Sequence, residues 1–154
     1  MSQFEIDIQC EVEVEPSLVL AARKAAQKTL AHEDAKKSTS LTLLLADNKR
    51  LQQLNSDFLG NDYPTDVLSF PSGESWNGTE NYLGDIAISI SKAEAQAREA
   101  GHDLISELCL LVVHGVLHLL DYDHATDGEA QQMGRVQAEI LSQLGLADAS
   151  RLNS

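Results

Sequence analysis

One stretch, DLISELCLLVVHGVLHLLD over residues 103–121, constrains the fold more than any other. It is apolar on nearly all sides, and a helix without a polar face has to be covered all round, so the stretch predicts a central buried helix. A membrane span needs about 20 consecutive apolar residues. The strongly apolar part here, LCLLVVHGVLHLL, is shorter than that and carries two histidines. The expected surroundings are therefore a protein core, and 154 residues with 43% hydrophobic and 23% charged side chains suit one globular domain over residues 1–154.

The elements that cover this helix can be placed by periodicity. FEIDIQCEVEV, residues 4–14, alternates apolar and polar positions and predicts a half-buried strand. Residues 17–32 read as an amphipathic helix starting at Ser17, with Leu18, Ala22, Ala25 and Leu30 on one stripe. A second strand is expected at 40–46, and Asp47 is placed to cap a short helix through NKRLQQLNSDF. VLSF forms a brief strand stopped by Pro71, PSGESWNGTEN an exposed loop, and YLGDIAISI another strand. Ser91 is the expected cap of the next helix and Gly101 its end, and a last helix runs over about 127–144. The order βαβαββααα describes an α/β (α+β) domain, a small mixed four-stranded sheet packed against about five helices.

Charge and cysteines exclude some functions. A net charge of −13 argues against a general polyanion binder, because nonspecific nucleic-acid affinity comes from Lys and Arg meeting phosphates. The charge is uneven: residues 1–50 hold seven basic against eight acidic side chains, and residues 51–154 hold four against sixteen. Cys10 and Cys109 lack C-x-x-C spacing, so neither a thiolate zinc site nor a disulfide framework is indicated, and two buried free thiols are expected. The N-terminus has no basic segment followed by an apolar run, which points to the cytoplasm and away from a membrane.

The chemistry concentrates in HGVLHLLDYDH, residues 114–124. His114 and His118 are four residues apart, so both imidazoles leave one face of the central helix a turn apart. His124 follows past a turn and can fold back as a third ligand. Three neutral imidazoles leave one tetrahedral position open, the composition of a catalytic zinc centre; nickel or another divalent ion suits the same donors. Such an ion lowers the pKa of its bound water to about 7 and polarises a phosphoryl oxygen.

Two families share this spacing. It resembles the metzincin protease motif HExxHxxGxxH at the three histidines, but the glutamate that serves those proteases as base corresponds to Gly115 here, and the turn glycine to Asp121. A closer resemblance is to HGxLHLxGYDH of the YbeY family, bacterial metal-dependent endoribonucleases of ribosomal RNA maturation. PTDVLSFP at 64–71 and LGDIAIS at 83–89 resemble further signatures of that family, in the same order. The resemblance covers the whole domain. It implies an α/β fold, a zinc ion on His114, His118 and His124, action on ribosomal RNA with the small ribosomal subunit as partner, and no DNA substrate.

Two positions depart from that family. Asp121 replaces a glycine at the expected helix end, where a left-handed backbone costs a non-glycine residue about 1 kcal/mol. Asp121 and Asp123 are both candidates to orient a histidine. Leu59 stands where family members usually carry an arginine thought to handle phosphate, and leucine cannot bind an oxyanion. Replacement cations would be Arg50, Lys92 or Arg98, and the candidate bases, in place of Gly115, are Asp66 and Asp85. Beside the endoribonuclease stand two alternatives, a zinc hydrolase of peptides or other esters, and a noncatalytic ribosome-assembly factor with a structural metal.

Overall fold

The computed structural model describes residues 4–72, 81–122 and 125–146. Nine elements follow in the expected order: β1 (Glu5–Cys10), α1 (Pro16–His32), β2 (Ser40–Ala46), α2 (Asn48–Leu59), β3 (Val67–Pro71), β4 (Tyr82–Ser89), α3 (Ile90–Ala100), α4 (Leu104–Leu119) and α5 (Asp127–Gln143). The sheet has the order β1-β2-β4-β3, with β1, β2 and β4 parallel and β3 antiparallel on the edge. Most of the PSGESWNGTEN loop, residues 73–80, lies outside the described residues.

The two sheet faces are covered unequally. Leu41, Leu43, Leu45, Ile86 and Ile88, all at most 1% exposed, belong to the large core that includes α4. The opposite face carries a small cluster of Ala46, Leu51, Leu68 and Ala87 beneath α2. Helix α4 lies against β3 and β4 and is flanked by α1, α3 and α5. Eleven of its residues are buried, as its apolar circumference requires.

Local chemistry sets the ends of these elements. Asp47 accepts the Arg50 backbone N–H at 2.9 Å, and Asp103 accepts that of Ser106 at 2.9 Å. The latter bonds hold the Asp103 carboxyl below its usual range. Thr126 and Glu129 form a reciprocal capping box on α5. The cap of α3 is Ser89, not Ser91; the Ser89 hydroxyl accepts the Lys92 N–H at 3.1 Å. Strand β4 therefore passes directly into α3.

Two further expectations are corrected. Strand β1 ends at Cys10 and does not reach Val14, because β2, its one neighbour among the described residues, ends one residue past Leu45, the partner of Cys10. Val12 and Val14 still pack against the core from an irregular segment. Cys109 is buried as expected, and burial pushes its thiol up to about 11. Cys10 is exposed, at the end of an edge strand.

Gly84 shows what the LGD segment does. Its φ is +144°, and a Cβ there would lie 2.2 Å from the Phe70 carbonyl oxygen. Only glycine lets β3 and β4 pair at this point, where Pro71 opposes Gly84.

An ionic cluster ties α1 to α5. His32 Nδ1 lies 2.7 Å from Glu33 Oε2, and Nε2 lies 3.2 Å from Glu139 Oε1. Burial opposes the charged ring, but bonds and charge from Glu33 and Glu139 outweigh it and raise the His32 pKa above its ordinary 6.5. A raised histidine pKa stabilises the fold fully below the unfolded value of about 6.5 and loses that effect as pH rises through the folded value. The melting temperature of His32→Gln is accordingly expected to fall furthest below wild type under pH 6.5, with the gap closing above it. Melting curves of both proteins from pH 5 to 9 check this.

Candidate metal centre

Helix α4 brings two of the three predicted ligands together. His114 Nε2 and His118 Nε2 stand 3.1 Å apart, with ring centroids 4.6 Å apart and planes at 76°. Two nitrogens each about 2.0–2.1 Å from a tetrahedral zinc are separated by roughly 3.3 Å. The pair thus fits adjacent positions on one ion. On the other side of the first ring, His114 Nδ1 is 2.6 Å from Oε1 of Gln137, a side chain only 2% exposed on α5.

The end of α4 turns the chain back. Asp121 adopts φ +74°, the left-handed backbone expected there. Its N–H bonds to the His118 carbonyl at 3.0 Å and that of Tyr122 to the Leu117 carbonyl at 2.9 Å, a Schellman closure that satisfies the last helical carbonyls. The Tyr122 hydroxyl then donates to Glu33 Oε1 at 2.6 Å, and that bond, with burial, pushes the phenol up to about 12. His124 and Asp123 lie outside the described residues. Among the described residues no third His, Cys, Asp or Glu completes a metal-holding group with His114 and His118.

A cavity of about 340 Å³ opens beside His114, lined among others by Asp66, Val67, Gln96, Glu107 and Leu110. Asp66 accepts from Gln96 Nε2 at 3.2 Å and from the Thr65 hydroxyl at 3.4 Å. Glu107, 2% exposed, meets His102 Nε2 at 2.8 Å. Burial raises the Glu107 pKa and His102 partly offsets the shift. Ser69 Oγ donates to the Gly115 carbonyl at 3.2 Å and so ties the histidine helix to β3.

The two candidate bases part company. Asp66 lies on the cavity with His114. Asp85 alternates with Ile86, which faces α4, and so points to the other side of the sheet, where it accepts from the Tyr82 hydroxyl. None of the three candidate cations lines the cavity. Arg50 sits 3.2 Å from Glu11 at the start of α2, Lys92 is in the first turn of α3, and Arg98 is in its last turn. Leu59 ends α2 and is 53% exposed. No Lys or Arg among the described residues lines the cavity beside His114.

Gln137 and Glu107 escaped sequence reasoning, although each leaves a trace. Gln137 interrupts the buried stripe of Met133, Ile140 and Leu141 on α5, and Glu107 interrupts the apolar run of α4. A polar residue at a core position is the signal in both cases.

The family profile described as Endoribonuclease YbeY matches residues 5–145. The protein named Endoribonuclease YbeY from Alkaliphilus metalliredigens is 39% identical over 142 residues, covering 90% of this chain and 92% of that one. Its namesake from Bacillus licheniformis is 41% identical over 135 residues, covering 82% and 85%. A Thermotoga maritima protein known from its solution structure superposes with a TM-score of 0.61 at 24% identity over 94% of each chain, a likeness of fold. Taken with identities near 40% across most of the chain, the profile match establishes that this chain belongs to the YbeY endoribonuclease family.

Proposed function

We propose that the chain is a zinc-dependent endoribonuclease of ribosomal RNA maturation, acting in the cytoplasm on single-stranded segments of small-subunit RNA and serving quality control of that subunit. The observation that carries this reading is the convergence of His114 and His118 Nε2 atoms, 3.1 Å apart, in a chain of the YbeY family. His114, His118 and His124 would hold the ion, zinc or nickel, and when bound it supplies Lewis-acid activation of a phosphodiester and of its attacking oxygen.

The protein's own groups divide the remaining work. The cavity beside His114 receives the RNA chain, with Val67 and Leu110 as apolar wall. Asp66 is the base of this proposal: its carboxylate is held by Gln96 and Thr65 and takes the proton of the attacking oxygen. Asp85, on the far side of the sheet, has no part in it.

The test uses the protein as purified. Elemental analysis is expected to find about one zinc or nickel per chain, and structured ribosomal RNA is expected to be cut while casein is not. A chain without stoichiometric metal, or one that cuts casein and spares RNA, overturns the reading.

One observation favours a second reading, a ribosome-assembly factor with a structural metal: no Lys or Arg among the described residues lines the cavity beside His114. Leu59→Arg separates the two. Leu59 is exposed and arginine is a good helix former, so the fold is expected to keep its stability. Binding of single-stranded RNA is expected to tighten, and the slope of log affinity against log salt to steepen by about 0.7, one phosphate's worth. Titrations at several salt concentrations check this. If only Leu59→Arg cleaves RNA, the assembly-factor reading holds for the natural chain.

A further inference from the structure

We infer that Gln137 is a positioning residue that fixes the His114 tautomer and so prepares its Nε2 as a metal ligand; the inference rests on the metal reading given above. Gln137 occupies a core position. Met133, Ile140 and Leu141 share its buried stripe on α5, and at 2% exposure its amide has lost nearly all contact with water. A buried amide without partners costs roughly 1–3 kcal/mol, a penalty that leucine or methionine at this position would avoid. Packing alone does not account for glutamine.

The bond to His114 does. Gln137 Oε1 is an acceptor only, and it lies 2.6 Å from His114 Nδ1, so the ring proton belongs on Nδ1. A neutral imidazole has one N–H. Nε2 then carries a lone pair, and it is Nε2 that stands 3.1 Å from its counterpart on His118. Outer partners of this kind set the tautomer and orientation of metal-binding histidines in general. Helix α5, which contributes no ligand among the described residues, thereby acts on the centre through one amide.

The opposite arrangement is chemically possible and defines the test. Turned end for end, the amide would donate to Nδ1, place the ring proton on Nε2 and block it as a ligand. Long-range ¹H–¹⁵N spectra of the metal-free wild type, with His114 assigned by its loss in His114→Ala, are expected to show the Nδ1–H form; an Nε2–H form overturns the inference. Zinc affinity, read by competition with a chromophoric chelator, is expected to drop about 10–100-fold in Gln137→Leu and to return in Gln137→Glu, whose carboxylate again accepts from Nδ1. Equal affinity in Gln137→Leu and wild type overturns it too. Should Gln137→Leu not fold, the wild-type tautomer and Gln137→Glu decide. Wild type that takes up no zinc overturns the metal reading itself, together with the role of Gln137 in it. Wild type that takes up zinc with His114 in the Nε2–H form overturns only the Gln137 assignment.

Discussion

Gly115→Glu, which would complete the protease-type HExxH sequence, is expected to yield a protein that does not fold, and no peptidase. A Cβ at position 115 would lie 2.9 Å from Ile86 Cγ2 and 3.2 Å from its Cδ1. Ile86 is fully buried in β4, so a side chain at 115 points into the sheet and away from open cavity. Overpacking of this kind costs about 1–3 kcal/mol, and an unpaired carboxylate forced into such a core adds several more. Stabilities of ordinary domains are only about 5–15 kcal/mol, so the sum reaches the threshold of unfolding. Gly115→Ala meets only the first cost and is expected to remain folded at a lower melting temperature. Circular dichroism melts of both variants, with a casein assay on any soluble fraction, test this; a folded Gly115→Glu protein with peptidase activity would defeat the argument.

The same residue shows how far sequence could go. That Gly115 lacks a base was plain from the letters, but that no base fits there needed the crossing of α4 over β4. The nine elements among the described residues were legible in order from periodicity, capping residues and terminal glycines, and for β3 from the proline at its end. What periodicity reports is burial, which is why Val12 and Val14 counted as strand: both pack inward, but β2 has run out of backbone to pair with them. Ser89 and Ser91 both suit a cap, and only the point where β4 stops pairing selects Ser89. Asp66 and Asp85 were equivalent on paper. They separate because alternation along β4 sends Asp85 away from the histidine face, whereas Asp66 lies in the bend just before β3 and lines the cavity with His114. Within the centre, the i, i+4 pair of His114 and His118 is a local property of a helix and was readable; the approach of Gln137, 23 residues on, belongs to tertiary packing.

His118→Ala is expected to do the reverse of Gly115→Glu, removing the chemistry while leaving the fold. His118 is half-buried in the last turn of α4, outside the set of buried residues that makes that helix a core element. Alanine is the best helix former, so the loss in the metal-free protein should stay under about 1 kcal/mol, a shift of roughly 2–4 °C in melting temperature for a domain of this size. The ion, by contrast, loses one of three proposed ligands, a larger change than the roughly 10–100-fold loss caused by removing an outer partner. Zinc content and RNA cleavage should both fall to background, while the melting curve without metal nearly overlays wild type. If His118→Ala retained cleavage, the paired Nε2 atoms would have to be a packing contact between two helix histidines. Such a contact does not need the buried amide at 137. That amide is present, and its desolvation costs stability that an apolar side chain at 137 would have kept.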